Sequence, residues 1–289
     1  MFLFPYQDKD SRIHRMDARP KMVFVLSMFL LSILISDTVY LLALFGLVMT
    51  VAAAGKVLRP TLGLLKYTVY VAAFLFLFSI LFSQGSTVLF EIGPIEVKEE
   101  SVLFASSMCA RLFLAIASFA ILTFTVHPDE MMRTLSKFGY KTITGLSIAT
   151  KMYPTIAMDS KNIEDAMKAR GVEFDSGNIL VKAKARAPIM MPLMLNSMDR
   201  AIEVAEAMEA RGFGAGVRTR YHDRPLSKKD KVMIASFLAA LPFGIAMFIL
   251  GFGNADYING APLSICIDDI LVIMVEIALF LPIFAGGRR

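Results

Sequence analysis

The chain has 289 residues, 56% of them hydrophobic and only 19% charged, and a formal net charge of +5. With a mean hydropathy of +0.61, this composition excludes an ordinary soluble domain. The two cysteines, Cys109 and Cys266, lie far apart and in or beside apolar runs, so they imply no disulfide framework.

A helix crosses a bilayer with about 20 mostly apolar residues. The first 21 residues are too charged for the apolar core of a signal peptide, so the first span is expected to direct insertion itself. Taken in order, the apolar runs predict spans at about 22–36, 38–54, 67–83, 101–126, 231–250 and 268–285. The first two are short and parted by Asp37. The fold class is therefore all-α, a polytopic membrane bundle of about five to six spans. Lys and Arg collect in cytoplasmic loops, and here they fall on alternate sides. Lys9, Arg12, Arg15, Arg19 and Lys21 precede the first span, and Lys56, Arg59 and Lys66 follow the second. Only Lys98 lies between the third and fourth, and residues 251–269 carry none. More than half of the 30 Lys and Arg fall between His127 and Lys229. Both termini are thus expected in the cytoplasm, and topology accounts for the net positive charge without any nucleic acid. Three regions follow: an N-terminal membrane part (1–126), a cytoplasmic region (127–230) and a C-terminal membrane part (231–289).

Arg111 falls inside the fourth span, where a charge is costly. Two readings stand side by side: it pairs with Glu276 or Asp37, or it snorkels to the outer interface.

The cytoplasmic region is far longer than a common loop. "HPDEMMRTLSKFGY" predicts a helix, with Pro128 in its first turn, Asp129 and Glu130 at the positive end of its dipole, and Gly139 ending it. Longer helices are predicted from about 143 to 170, with Pro154 a kink, and from about 179 to 211, with bends at Pro188 and Pro192. "GFGAG" (212–216) breaks the last one. Ten of the 19 methionines fall in this region, among them Met158, Met190, Met191, Met194 and Met198. Methionine suits either ordinary packing or an interface that repacks.

"AMKARG" (166–171) and "AMEARG" (207–212) agree at five of six positions. Shifted by 41 residues, Ile163 meets Val204, Ala166 meets Ala207, Met167 meets Met208 and Arg170 meets Arg211. Each set of four occupies i, i+3, i+4 and i+7, one face of a helix. Neither arginine has a carboxylate at i−3 or i−4 to pair with it. One such motif reads equally well as an arginine at a dipole's negative end followed by a terminating glycine. Two in matching phase read as paired devices, each offering a rigid five-donor guanidinium between small residues to a groove on a partner.

Taken together, these residues resemble the transmembrane T component of energy-coupling factor (ECF) transporters, the EcfT/CbiQ family, whose coupling helices carry two Ala-Arg-Gly motifs. Here these are Ala169-Arg170-Gly171 and Ala210-Arg211-Gly212. "IHRMDARPKM" is similar to the family's approach to its first span, His-x-x-Asp-Pro-Arg-x-Lys-Leu, with Ala18 where Pro is usual and Pro20 two positions on. "TVHPDEMMRTLSKFG", "APIMMPLMLNSMDRAIEVAEAMEARGFG" and "RTRYHDRPLSKKD" are similar to later segments, so the resemblance covers nearly the whole chain. It implies a scaffold between two ABC-type ATPase subunits, identical or not, and a membrane-embedded S component that binds a vitamin or a Co or Ni ion. Arg170 and Arg211 would each enter a groove of one ATPase, in the plasma membrane of a prokaryote.

The chain's own residues fit a subunit without catalysis or cofactor. It has no Gly-x-x-x-x-Gly-Lys-Ser/Thr loop to cradle nucleotide phosphates. His14, His127 and His222 lie in separate segments without metal-ligand spacing, and no signature of covalent catalysis is present. The competing expectation is a self-contained secondary transporter or channel, which calls for related halves and several intramembrane charges. One candidate charge in the early spans and no related halves are found.

Overall fold

A computed structural model describes residues 11, 13–82, 88–92, 95–135, 139–174, 178–216, 226–253 and 267–285. In chain order the elements are α1 (Ala18–Leu34), α2 (Thr38–Ala54), α3 (Leu58–Phe82), β1 (Val88–Ile92), β2 (Ile95–Lys98), α4 (Glu99–Thr125), α5 (Pro128–Leu135), α6 (Tyr140–Ala169), α7 (Ile179–Ala210), α8 (Lys228–Ile249), α9 (Ile267–Phe280) and α10 (Pro282–Ala285). They divide into two compact units, Met1–Thr134 with Pro225–Arg289, and Leu135–Arg224.

The first unit is a bundle of apolar helices. Each predicted span lies on a helix, and α3, α4 and α8 are long and apolar enough to cross a membrane. At 17 residues α2 is a shorter apolar helix, about 26 Å long at 1.5 Å per residue. The protein is thus an all-α membrane protein. Two boundaries differ from expectation. Helix α3 begins at Leu58 rather than at 67, because Pro60 falls in its first turn, where no amide donor is needed. The last span breaks at Leu281 into α9 and α10, because the residue before a proline, here Pro282, is pushed out of the helical region. A third difference is the antiparallel pair β1–β2, with Val88 opposite Lys98 and Ile92 opposite Ile95, in the stretch between the third and fourth spans.

Three phenylalanines anchor the core. Phe24 of α1, Phe237 of α8 and Phe280 of α9 are fully buried. Phe24 meets the other two edge-on, with centroids at 5.6 and 5.7 Å, while Phe237 and Phe280 stack at 5.5 Å. These are the offset and edge-to-face geometries that ring quadrupoles favour. On α4, Leu114, Ala117 and Ile121 are buried in the same core as Leu41, Leu44 and Val48 of α2. Gly244 lets α8 approach Leu31 of α1 and the buried Glu276 of α9, since a Cβ there would collide with Leu31. In contrast, α3 exposes Tyr67, Tyr70, Val71, Phe74 and Phe78, an apolar face suited to a bilayer rather than to water.

Polar groups in this unit serve the helix ends. The last carbonyls of a helix have no partner within it. Lys21, only 2% exposed, donates to the carbonyl of Thr125, the last residue of α4, at 2.9 Å, and to that of His14 at 3.3 Å. Arg111 Nη2 donates at 3.1 Å to the carbonyl of Ile35, the C-cap of α1. Neither Glu276 nor Asp37 pairs with Arg111 among the described residues. A helix C-terminus, with free carbonyls and negative dipole, accepts the cation instead. Asp37 caps α2 by accepting from the Val39 amide at 2.8 Å. The amides of Ser36 and Asp37 donate to the Gly253 carbonyl at 2.9 and 3.1 Å, tying the α1–α2 turn to the chain just beyond α8.

Replacing Lys21 by Met should therefore leave a buried carbonyl unsatisfied and lower stability by about 1–3 kcal/mol. Unfolding of the purified protein in a detergent–SDS titration checks this, with Lys66→Met, at an exposed position of α3, expected to unfold like the unaltered protein.

Two arginines at matching helix ends

Helices α6 and α7 make up most of the second unit and pack against each other. Their half-buried positions repeat. On α6 they include Ile148, Met152, Ile156, Asp159, Ile163 and Met167; on α7, Leu193, Ser197, Arg200, Val204 and Met208, preceded by the buried Ile189. Every position in the first series lies 41 residues before one in the second. The spacing 4-4-3-4-4 keeps one face of an α-helix in contact over five turns. The repeat that the sequence shows at its C-terminal end thus extends back along both helices.

At its C-terminal end each series reaches an arginine. Arg170 is the C-cap of α6, with φ −86° and ψ 6°, and Arg211 is the C-cap of α7, with φ −87° and ψ 6°. Behind each comes a left-handed glycine, Gly171 at φ +86° and Gly212 at φ +70°. The amide of Gly171 donates to Lys168 O at 2.9 Å and that of Val172 to Met167 O at 3.1 Å. The amide of Gly212 donates to Glu209 O at 2.8 Å and that of Phe213 to Met208 O at 3.0 Å. Both ends are Schellman turns, in which backbone amides satisfy the last carbonyls. The step to αL is costly for any residue with a Cβ, which explains glycine at both positions.

A glycine-terminated end of this kind fits both readings of the motif. The carbonyls of Met167 and Lys168, and those of Met208 and Glu209, are engaged by backbone amides. Arg170 and Arg211 are both exposed, and neither has an ion pair or side-chain hydrogen bond among the described residues. Their neighbours differ. Lys168, two residues before Arg170, binds Glu164 at 2.8 Å and holds its carboxyl below the usual carboxylate range. Its ammonium also lies 6.0 Å from the ring centre of the buried Phe174. Ala166, Ala169, Ala207 and Ala210 are exposed too, so each guanidinium stands among small side chains that leave room for another surface.

Sequence reasoning missed the contact between the helices. Arg200 of α7 approaches Asp159 of α6 at 3.0 Å, an ion pair 31% and 22% exposed. The 41-residue shift superposes these two residues, and that is the signal that would have found it. The methionines named above are exposed on the same two helices, from 54% at Met198 to 67% at Met158 and Met191. Among the described residues no group of three or more His, Cys, Asp and Glu is assembled that could hold a metal ion. His222 and Cys266 lie outside the described residues.

An apolar bundle with three helices long and apolar enough to cross a membrane marks the class as an integral membrane protein. Residues 9–222 match the CbiQ family, described as cobalt transport protein. The energy-coupling factor transporter transmembrane protein EcfT of Lactococcus lactis subsp. cremoris is 32% identical over 257 residues, 82% of this chain and 94% of that protein. The EcfT proteins of Streptococcus equi subsp. equi and Bacillus subtilis are each 30% identical, over 86% and 84% of this chain and 96% and 97% of their own lengths. The chain belongs to the CbiQ/EcfT family, the transmembrane components of energy-coupling factor transporters.

The caps themselves are testable. No atom lies within 4 Å of a Cβ placed on Gly171, and only the Ala215 Cβ, at 3.9 Å, lies near one on Gly212, so alanine is opposed there by backbone conformation alone. Gly171→Ala and Gly212→Ala should each cost about 1 kcal/mol, and asparagine less. Hydrogen exchange at the Val172 and Phe213 amides should accelerate in that order.

Proposed function

We propose that the protein is the non-catalytic transmembrane scaffold of an ABC-type ECF importer. Arg170 and Arg211, with Ala169, Gly171, Ala210 and Gly212, dock into two cytoplasmic ATPase subunits, one arginine in a groove of each. A separate S component in the membrane carries the substrate, a vitamin or a Co or Ni ion. ATP-driven closure of the ATPases moves α6 and α7, and that movement reaches the S component. The region 127–230 is cytoplasmic, both termini are cytoplasmic, and the protein resides in the plasma membrane of a prokaryote.

One observation carries this reading: two arginines at matching helix ends closed by left-handed glycines, both exposed and both without an ion pair or side-chain hydrogen bond among the described residues. A capped helix end holds a guanidinium at a fixed place and angle. Five N–H donors in a planar fork then meet carboxylates or carbonyls in a groove. Two equivalent ends suit a partner made of two similar subunits. The names of the relatives agree with transport coupled to energy, and the alternation of Lys and Arg supports the orientation.

Affinity-tagged protein should retain two ABC-type ATPase subunits on purification in detergent. Arg170→Ala with Arg211→Ala should abolish retention, and either change alone should weaken ATP-driven uptake by about tenfold or more, the cost of losing an interfacial arginine anchor. Lysine should not restore it, because the fork is lost. Full retention and uptake in the double variant would overturn the assignment.

A further inference from the structure

The ion pair between Asp159 and Arg200 occupies a special place in the second unit. The shift of 41 residues that superposes the two Ala-Arg-Gly motifs also superposes Asp159 on Arg200. Here one position meets its own equivalent at 3.0 Å. The pair is thus a direct contact between equivalent positions of α6 and α7. Arg170 and Arg211 lie equally far beyond it, eleven residues in each helix (159 to 170, 200 to 211), or about 16.5 Å at 1.5 Å per residue.

The rest of the seam does little to fix the register. Its other members on α6 are Ile148, Met152, Ile156, Ile163 and Met167, and on α7 Ile189, Leu193, Ser197, Val204 and Met208. Aliphatic and methionine side chains of this kind repack at low cost when one helix slides. A slip of one turn moves a helix end by about 5.4 Å. It would also set Arg200 against Ile156 or Ile163 and Asp159 against Ser197 or Val204, leaving two half-buried charges unpaired. A polar pair in an apolar seam selects register by penalising the alternatives, as single polar residues do in coiled coils. The 3.0 Å approach lacks the angle of a hydrogen bond at Arg200 Nη1, so its attraction is chiefly that of charge.

We infer that Asp159 and Arg200 are positioning residues: their ion pair fixes where α6 meets α7, and so sets the separation and relative direction of the two arginine-bearing ends. This rests on the proposed docking of those ends to paired ATPases, because only a two-point attachment makes their separation matter. Opposite charges at this contact also favour the pairing of α6 with α7 over that of like with like, which would bring two aspartates or two arginines together.

The test separates geometry from stability. In the full chain carrying Cys109→Ala and Cys266→Ala, nitroxides at Asp165→Cys and Glu206→Cys report the distance between the ends. These two positions are exposed and equivalent under the 41-residue shift. Electron–electron double resonance should give one narrow distance distribution. Asp159→Asn and Arg200→Gln should each broaden or shift it, and lower retention of the ATPases by about fivefold, as expected for a partly exposed ion pair. The exchange Asp159→Arg with Arg200→Asp should restore both the distance and the retention. An unchanged distribution in the single variants would overturn the inference, as would an exchange variant as broad as they are. If the exchange variant does not fold, the near-isosteric Asp159→Asn decides by its own distribution. Should unaltered protein retain no ATPase, the docking proposal fails, while the distance measurement still decides what the ion pair does.

Discussion

Every helix ends in carbonyls that its own backbone cannot satisfy, and the rest of this structure depends on how that constraint is met. In the first unit, cations meet it at two helix ends, while α2 and α8 close with backbone turns, Val57 N to Ala52 O and Phe252 N to Met247 O, each at 3.0 Å. Lys21 binds the last carbonyl of α4 and Arg111 the C-cap carbonyl of α1. Both contacts join helices distant in sequence, so satisfying a terminus also fixes the packing of the bundle. In hydrocarbon this matters more than apolar contact, because lipid tails compete equally for apolar surface while offering nothing to a carbonyl. In the second unit the same constraint is met by backbone amides following Gly171 and Gly212. The arginines beside those glycines are therefore left over. One chemical requirement, met in two ways, separates arginines that hold the fold from arginines that face outward.

The repeat in α6 and α7 joins this local chemistry to the proposed docking. Matching half-buried positions along both helices, near-identical dihedral angles at both C-caps and a contact between equivalent residues describe one device built twice. A two-fold device is the simplest complement to a two-subunit partner. The two copies differ beside the arginine: Lys168 is paired with Glu164, whereas Glu209 stands at the equivalent position. The surroundings of Arg170 and Arg211 thus differ in charge, and two non-identical ATPases could be told apart by it.

Much of this was legible in the sequence, for definable reasons. Apolar runs place the six expected spans on helices because a bilayer demands length and composition together. The 41-residue register of the motifs was also visible, since Ile163, Met167, Val204 and Met208 are apolar at helical spacing. Residues whose roles depend on a distant segment were not legible. Lys21 reads in the sequence as one more cytoplasmic charge; its buried contact with Thr125 spans more than a hundred residues. Arg111 reads in the sequence as pairing with a carboxylate or snorkelling to the interface, whereas its partner is a carbonyl, a group every residue carries and no sequence distinguishes. The β1–β2 pair had a local signal, two short runs rich in Val and Ile flanking Gly93-Pro94, obscured by the stronger apolar runs on either side. Asp159 and Arg200 look like ordinary surface charges until the shift is applied beyond the motif itself.

The contrast between rigid ends and soft faces completes the physical picture of α6 and α7. Their C-terminal ends are fixed by paired hydrogen bonds and left-handed glycines, and their meeting point carries a charge pair. Ahead of that pair they expose flexible side chains, among them Met158, Met190, Met191 and Met194. Methionine adapts to differing shapes with little loss of contact. The proposed scaffold role calls for this division, because force would pass through a defined attachment while an adaptable surface would meet a membrane partner. The prolines fit it as well: Pro154 lies between the start of α6 and Asp159, and Pro188 and Pro192 between the start of α7 and Arg200. Each helix can bend ahead of the ion pair, where proline removes a backbone hydrogen bond. Beyond the pair, the segments that carry Arg170 and Arg211 contain no proline, and their helices run unbroken to the caps.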